Sequence, residues 1–354
     1  LGDDPDPSWP FKLNAFINVV RHGGRMLALA EGDPPYEITP TLDTVGRYDF
    51  GGALPGICAH PKIDPVTGEM IVFRYDIAEP FLTWATVGAD GTVTQPPVAV
   101  DGIDASYMIH DFAITERYVV LIVGPLVIDA AAFGGGGEPL QWHQGEGTRI
   151  AIIPRDRATP TRWVHGDAFW AWHYANAFED GDVIHLDLPF STSPGLVLPP
   201  EQRPPAAFGF TRATLHPETG RLDVHHLDDL GSEFPRIDDR LVGRRHRYVT
   251  VAARSASDHL ANGEHDILRQ YDMDAGTSTE YHANAALGEV AFAPRNGSTH
   301  ELDGYYVAFG TDVDSGRSGL YLWDAAEFPA EPVAVIQMPQ RVPNGLHGNW
   351  FPTT

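Results

Sequence analysis

The stretch Ile109-His110-Asp111-Phe112-Ala113 is one of four short segments in which a histidine stands beside apolar residues. The other three are Ala59-His60-Pro61-Lys62-Ile63-Asp64, Trp172-His173-Tyr174-Ala175-Asn176-Ala177 and Leu346-His347-Gly348-Asn349-Trp350. Intervals of 50, 63 and 174 residues separate these histidines, whereas a zinc finger or a helical metalloprotease gathers its ligands within one loop or one helix. A shared site would therefore require a closed architecture, such as a β-propeller, that returns the chain to one central point.

The pattern around these segments predicts strands. Glycine and proline are spread along the whole chain and separate apolar runs of strand length. These runs are Met70–Tyr75, Tyr118–Val123, Ile150–Ile153, Val183–Leu188, Tyr248–Ala253, Tyr305–Phe309 and Pro332–Met338. Acidic turns that end in glycine recur between them, as in Asp64-Pro65-Val66-Thr67-Gly68, and are typical of hairpins.

Helix signals are few. The best is Pro235–Val242, a short connector, and no long stretch holds an apolar period of 3.6 residues. We therefore predict an all-β fold in which each of the four histidines lies at the end of a buried strand. Four-stranded units of about 40 to 50 residues are typical of propeller blades, and the first two histidine intervals have about that length. We expect one propeller domain over residues 1–354.

Charge and cysteine content restrict the partners and the compartment. The 48 acidic and 24 basic side chains give a formal charge of -24, which disfavours nucleic acid. Cys58 is the only cysteine, so no intrachain disulfide can form, and we expect a cytoplasmic protein. No signal peptide is visible at Leu1, and the most apolar stretch, Tyr118–Phe133, is too short and too interrupted for a transmembrane segment.

A site made only of imidazoles suits zinc, copper, nickel or iron, so the ligand type alone does not select the metal. Histidine ligands usually donate their second ring N–H to a carboxylate or a carbonyl, which fixes the tautomer. Glu31, Glu233 and Glu289 stand among small or apolar neighbours and are candidates for this role. The remaining histidines, among them His143 and His246, have polar or turn-like neighbours and are expected to be ordinary.

At these residues the chain resembles the carotenoid cleavage oxygenase family. Its members carry Ala-His-Pro-Lys-Val/Ile-Asp, Ile-His-Asp-Phe-Ala-Ile-Thr, His-x-x-Asn-Ala and a terminal Phe/Leu-His-Gly motif, and all four occur here in that order between residues 59 and 348. The segments 18–31 and 147–155 also resemble an early blade and a mid-chain strand of the family. The combined match is highly specific.

The resemblance implies a seven-bladed β-propeller with Fe(II) on its axis and a loop dome over a hydrophobic substrate tunnel. The iron would be held by His60, His110, His173 and His347, and the three glutamates would orient the imidazoles. Family members use iron and O2 to split a C=C bond of a conjugated chain into two carbonyl products. No protein nucleophile or general base is needed, and uptake of the hydrophobic polyene would involve peripheral contact with a membrane.

The chain departs from the family pattern in two places. Many relatives read Asn-Thr-Asn-Val where this chain has Phe16-Ile17-Asn18-Val19, and the threonine crowds the vacant iron position; Ile17 is the corresponding neighbour here. Relatives also generally carry a further stretch before this point, which supplies outer strands and part of the dome. We expect that part of the family fold to be missing.

The substrate prediction depends on Ala30. Stilbene-cleaving members typically place a lysine directly before the first glutamate, whereas here the pair is Ala30-Glu31, which favours an apolar carotenoid or apocarotenoid. A lignostilbene-type dioxygenase acting on a phenolic stilbene is the main alternative. Three others stay open: an isomerase on the same fold, a calcium-dependent propeller of the lactonase kind with Asp312-Val313-Asp314-Ser315-Gly316 as its acidic loop, and a scaffold without activity.

Overall fold

The computed structural model describes residues 15–132, 137–199, 203, 206–256, 260–261 and 263–352. Antiparallel strands joined by hairpins and loops make up the fold, so the prediction of an all-β protein is confirmed. None of the helical segments in this part of the chain has the length and apolar character needed to cross a bilayer.

The first three strand groups cover the first half of the chain. Each consists of four antiparallel strands in chain order. They are β1 (Asn18–His22), β2 (Arg25–Leu29), β3 (Tyr36–Ile38) and β4 (Thr44–Arg47); β5 (Lys62–Ile63), β6 (Met70–Tyr75), β7 (Leu82–Val87) and β8 (Val93–Ala99); and β9 (Ala113–Ile114), β10 (Tyr118–Val123), β13 (Thr148–Pro154) and β14 (Arg162–Gly166), with the separate hairpin β11 (Leu126–Ile128) and β12 (Leu140–Trp142) inserted into the third group.

Three further groups of four strands follow. They are β15 (Asn176–Asp180), β16 (Val183–Ser191), β17 (Phe208–His216) and β18 (Arg221–His226); β19 (Ser232–Arg236), β20 (Tyr248–Ala253), β21 (His265–Asp272) and β22 (Thr277–Leu287); and β23 (Ala291–Pro294), β24 (Gly304–Asp312), β25 (Ser318–Asp324) and β26 (Ala334–Gln337). Contacts between β14 and β18 and between β22 and β24 join neighbouring groups into larger sheets.

Strand β10 shows why the fold buries whole strands. Val119 and Leu121 face one apolar core, shared with the second strand group, while Val120 and Ile122 face another, shared with the fourth. A sheet covered on both faces requires apolar residues at successive positions, because neighbouring side chains point to opposite faces. The uninterrupted apolar run Tyr118–Val123 is the result, and it forms the predicted strand.

The acidic turns close hairpins as predicted. Between β5 and β6, Oδ1 of Asp64 accepts the N–H of Val66 at 2.9 Å, and Gly68 has a φ of 71°. The side-chain acceptor replaces a backbone partner, and glycine takes a left-handed conformation without a Cβ clash. The local sequence therefore accounts for the conformation of this turn.

The predicted connector Pro235–Val242 is wrong in extent. Only Asp239–Leu241 is helical, as a single 3-10 turn, and Asp238 caps it by accepting the N–H of Arg240. Pro235 and Arg236 belong to strand β19, because pairing with β20 outweighs the local helix signal. The short turn follows directly after the strand.

The predicted placement of the four histidines at strand ends is close for three of them. His60, His110 and His173 each lie two or three residues before the first strand of their group, β5, β9 and β15. His347 instead lies beyond β26, in a terminal segment that forms no strand over residues 338–352.

Candidate metal centre

Four histidines converge in the structure, and we call them the histidine cluster: His60, His110, His173 and His347. Their ligand nitrogens all lie within 4.8 Å of one another. The Nε2 atoms of His60 and His110 are 3.2 Å apart, as are those of His110 and His173. Within the described part of the chain, no other group of three or more histidine, cysteine or acidic side chains converges in this way.

The three predicted glutamates lie behind three of these imidazoles. Nδ1 of His173 is 2.7 Å from Oε2 of Glu233, and Nδ1 of His110 is 2.9 Å from Oε1 of Glu31. Nδ1 of His347 lies 3.3 Å from Oε1 of Glu289. A carboxylate that accepts the Nδ1 proton leaves Nε2 with a bare lone pair pointing away from it.

This arrangement fits a cation at the focus of the cluster. When His110 and His173 carry their protons on Nδ1, the atoms that face Glu31 and Glu233, their Nε2 atoms meet at 3.2 Å as two lone pairs, which repel each other unless a positive charge lies between them. Nitrogens bound at about 2.1 Å and at right angles to each other are about 3 Å apart. Imidazole nitrogens select a transition metal over calcium or magnesium.

The pKa values around the cluster shift in different directions: burial would lower the pKa of His173, but the hydrogen bond with Glu233 outweighs it and raises that pKa. Burial, followed by the neighbouring imidazoles, lowers the pKa of His60 well below its ordinary value. Burial raises the pKa of Glu31, with His110 acting in the opposite direction. Burial would also raise the pKa of Glu289, but Arg236 and then His347 outweigh it and bring that pKa down to about 2.

A strand irregularity positions Glu233. The pairing of β19 with β20 shifts register between Glu233 and Arg236, and Phe234 has a φ of 52°, in the left-handed region. Its ring stacks on His173 with the centroids 5.5 Å apart and lies 5.4 Å from the ring of His347. A strained backbone at a bulge is a frequent feature of functional sites.

Arg236 secures the fourth histidine, whose segment has no strand to hold it. Its Nη1 lies 3.1 Å from Oε2 of Glu289 and donates to the carbonyl of Gly348 at 2.7 Å. Nη2 donates to Oδ1 of Asn349 at 3.1 Å, and Asn349 in turn donates to Oδ1 of Asn18 at 2.8 Å. Hydrogen bonds thus connect the terminal segment to β1.

Aromatic side chains flank the cluster. The indole of Trp172 packs edge-on against His110 at 5.2 Å between centroids, and Trp170 packs against Trp172 at the same distance. Trp142 extends this group, which is packed with leucine and methionine side chains. Such a surface suits an apolar ligand beside the metal position.

A cavity of about 320 Å³ reaches the cluster. Three of the cluster histidines line it, but His110 does not, and neither do Trp172 and Phe234. Further along, it is lined by charged and amide groups, among them Lys62, Asp111, Arg236 and Asn349. Apolar side chains, among them Phe112, Tyr174 and Trp350, line the same cavity, so it combines charged groups with an apolar wall.

Three other residues from the sequence analysis can be placed. Ile17 is half-buried just before β1, and its N–H donates to the carbonyl of Leu29 at 3.0 Å. Cys58 is buried and unbonded to another cysteine, and burial raises its pKa to about 12. In the hairpin 312–316, Oδ1 of Asp312 accepts from Ser315, so that carboxylate is used within the turn.

Several residues at the site were not identified from the sequence. Asp111, Trp172 and Asn349 lie within two residues of a cluster histidine, so the quoted segments contained them without indicating their contacts. Phe234 and Arg236 follow Glu233 in a motif that was examined only for its carboxylate. Their positions depend on contacts between distant segments, which no local spacing reveals.

Comparison with known proteins agrees with this geometry. The family model described as Retinal pigment epithelial membrane protein matches residues 4–352. Carotenoid cleavage oxygenase 1 of Neurospora crassa is 32% identical, and the match covers 96% of this chain and 70% of that protein. The crystal structure of lignostilbene dioxygenase from Pseudomonas brassicacearum is similar to this structure, with a TM-score of 0.87 and 29% sequence identity. The match covers 99% of this chain and 78% of that one.

Cobalt-substituted apocarotenoid oxygenase of Synechocystis is also similar in structure. It matches with a TM-score of 0.81 at 27% identity, over 95% of this chain and 74% of that one. A relative of the same fold thus accepts cobalt. The family model and the relatives together show that the chain belongs to the family of Retinal pigment epithelial membrane protein and the carotenoid cleavage oxygenases.

Proposed function

We propose that the protein is a non-haem Fe(II)-dependent dioxygenase that cleaves a C=C double bond of a carotenoid or apocarotenoid. The observation that carries the proposal is the close approach of Nε2 atoms in the histidine cluster, 3.2 Å apart, with carboxylates behind the rings. The relatives support it, since the Neurospora protein is a carotenoid cleavage oxygenase and the Synechocystis protein an apocarotenoid oxygenase.

The metal site that we propose uses the whole cluster as ligands, with Glu31, Glu233 and Glu289 fixing the tautomers. Bound Fe(II) would supply the one chemistry that the side chains lack, the activation of O2 for addition to an alkene. The reaction balances as one alkene and one O2 giving two carbonyl compounds. Because no proton has to be moved, no side chain needs to act as acid or base.

The side chains around the cluster would determine which bond reacts. Trp172 and Phe234 pack their rings against His110 and His173 and would exclude water from that side of the cluster. Selectivity would then come from holding one double bond within reach of the metal position. Ile17, in the stretch before β1, is our proposed neighbour of the vacant metal position.

The surroundings of Glu31 favour a polyene over a phenolic stilbene. Ala30 is 5% exposed and offers a methyl group where a cation would bind a phenol oxygen. Lys62 and Arg236 are near the cluster, but each is paired with a buried carboxylate, Asp111 and Glu289 respectively. Neither residue therefore offers an unpaired cation to a phenolate.

The architecture that we propose is the seven-bladed propeller of the family, with the metal on its axis and residues 1–354 in one domain. The six described groups of four strands would form six of its blades. The hydrogen-bonded contact of the terminal segment with β1 through Asn349 supports it, since a propeller closes its ring by joining its ends.

The test is product analysis under labelled oxygen. Iron-loaded protein is incubated with 18O2 and a panel of carotenoids, apocarotenals and phenolic stilbenes, and the products are identified by mass spectrometry. We expect two aldehyde or ketone fragments from a polyene, each with an 18O atom. Cleavage of stilbenes alone would establish the lignostilbene-type alternative. Products isomerised without label would establish an isomerase and overturn the proposal.

A further inference from the structure

A second layer of polar contacts lies next to the histidine cluster, centred on Asp111. This residue follows His110 directly, and its side chain is 2% exposed. Nζ of Lys62 lies 2.7 Å from its Oδ1, and the N–H of Tyr174 donates to its Oδ2 at 2.9 Å. Lys62 is two residues beyond His60, and Tyr174 directly follows the third cluster histidine.

One carboxylate thus joins the segments that carry three of the four cluster histidines. It accepts a third donor, the N–H of Phe112, at 2.7 Å, so the buried charge is well compensated. The ammonium group of Lys62 is largely buried as well and also lies 5.8 Å from the centre of the Phe112 ring. Both charges line the cavity that reaches the cluster.

The location of this ion pair argues for more than stability. A buried pair contributes little net stability, and well-packed apolar residues of similar volume can often replace it. A carboxylate with three fixed donors does, however, set the distances between the chain segments that supply them. Here those segments carry the cluster histidines, whose Nε2 atoms lie 3.2 Å apart. A shift of one segment by a few tenths of an ångström would therefore alter the geometry around a metal.

We infer that Asp111 is a positioning residue that sets the geometry of the histidine cluster for a transition metal, through its contacts with Lys62 and Tyr174. The inference rests on the proposed metal-binding function. It concerns residues beyond the three carboxylates that contact the imidazoles directly. Asp111 acts on the ligands only through the backbone and the ion pair, since its oxygens are occupied by these donors.

The experiment uses Co(II) as a probe of the site, bound anaerobically to the metal-free protein. The ligand-field absorption bands report the geometry around the metal, and competition with a chelator gives its affinity. In Asp111→Asn we expect changed bands and an affinity lower by about 10- to 100-fold, the usual effect of removing an outer partner of a metal site. Thermal unfolding of the metal-free protein is measured in parallel.

A matched control separates positioning from stability. Asp228 is also largely buried and contacts Arg269 and the hydroxyl of Tyr271, none of which adjoins a cluster histidine. We expect Asp228→Asn to lower the unfolding temperature while leaving the Co(II) bands and the affinity as in the wild-type protein. A change of the bands in this control equal to that in Asp111→Asn would overturn the inference.

Substitution of Lys62 keeps the test decisive if Asp111→Asn does not fold. Lys62→Met removes the cation and is expected to change the bands, whereas Lys62→Arg keeps it and is expected to restore them in large part. If Asp111→Asn folds and has the Co(II) bands and affinity of the wild-type protein, the positioning role is overturned while the proposed metal site stands. If only Lys62→Met folds, the same result in that variant has the same meaning. A wild-type protein that binds no Co(II) would overturn the proposed metal site and this inference with it.

Discussion

At the scale of single residues, the orientation of each imidazole is the property on which the site depends. Glu233 accepts from Nδ1 of His173 at 2.7 Å and from the N–H of Phe234 at 3.3 Å, so one carboxylate holds both a cluster histidine and the ring stacked on it. A neutral amide in its place could present N–H toward Nδ1 and favour the wrong tautomer.

We predict that Glu233→Gln lowers metal affinity or turnover by about 10- to 100-fold without unfolding the protein. Metal content after dialysis against a chelator and the rate of product formation are the measurements. Glu146→Gln is the control, because that glutamate contacts His143 at an exposed 3-10 turn, away from the cluster. Equal rates and metal content in Glu233→Gln and the wild-type protein would remove the carboxylate from the orienting role.

At the scale of elements, the approach to His60 depends on a close backbone contact. A Cβ on Gly56 would lie 1.8 Å from the carbonyl oxygen of Gly32, which directly follows Glu31. The N–H of Gly32 donates to the carbonyl of Ile57 at 3.0 Å, so the two segments are joined there. Glycine is thus required where the segment before His60 passes the end of β2.

Gly56→Ala is therefore expected to lower the free energy of unfolding by about 1–3 kcal/mol, the effect of forcing a methyl group into a packed contact. Denaturant-induced unfolding measures it. Gly145→Ala is the control, since a Cβ there meets no heavy atom of the described residues within 4 Å. Equal stability of the two variants would show that the segments of Gly56 and Gly32 can move apart without strain, which would contradict the prediction.

A buried charge network stabilises the fourth strand group. Asp187 is fully buried on β16, and Arg212 on β17 donates to both its oxygens at 2.7 and 2.6 Å. Nε2 of His246 lies 3.0 Å from Oδ2 of Asp187, and its Nδ1 is hydrogen-bonded to Asn176. Burial would raise the pKa of Asp187, but the hydrogen bonds from Arg212 and then His246 lower it below its ordinary value. His246 is thus a hydrogen-bonded core residue, consistent with its assignment as an ordinary histidine.

The lowered pKa fixes the direction of a pH effect. A carboxyl group with a depressed pKa in the folded state stabilises the protein above its unfolded pKa of about 3.9, and this contribution is lost as the pH falls through the folded pKa. We predict that Asp187→Asn lowers the free energy of unfolding by about 3 kcal/mol at pH 7. The difference from the wild-type protein should narrow below about pH 4. A difference that is constant down to pH 3 would contradict the pairing.

Strands and turns were largely predictable because their signals are local. The apolar runs Met70–Tyr75, Tyr118–Val123 and Tyr248–Ala253 have the bounds of β6, β10 and β20. Pro235–Val242 was not predictable in the same way, since pairing with the next strand, β20, decides the conformation of its first two residues. Local propensity gives way where a tertiary contact competes with it.

At the scale of the whole molecule, the sequence indicated the convergence of the four histidines, but not the contacts that stabilise it. The motifs pointed to these four histidines because a resemblance carries spatial information that spacing lacks. The bridge from Asp111 to Tyr174 and the link from Arg236 to Asn349 join residues 63 and 113 positions apart. Such pairs become visible only when the strand groups are in place.

We predict that the chain unfolds as one domain. The strand groups share apolar cores, as β10 shows by facing two of them, so one group cannot lose its packing without exposing its neighbours. Unfolding followed by far-UV and near-UV circular dichroism should give coincident single transitions. Two separated transitions would contradict the single propeller domain proposed for residues 1–354.

The central claim is that the histidine cluster binds one iron ion. The most direct test is the iron content per chain after anaerobic loading with Fe(II) and removal of loose metal, compared between the wild-type protein, His110→Ala and His143→Ala. His143 contacts Glu146 and Gln141, so it serves as the control. We predict about one iron per chain in the wild-type protein and in His143→Ala, and a loss of about 10-fold or more in His110→Ala. Full iron content in His110→Ala would contradict the claim.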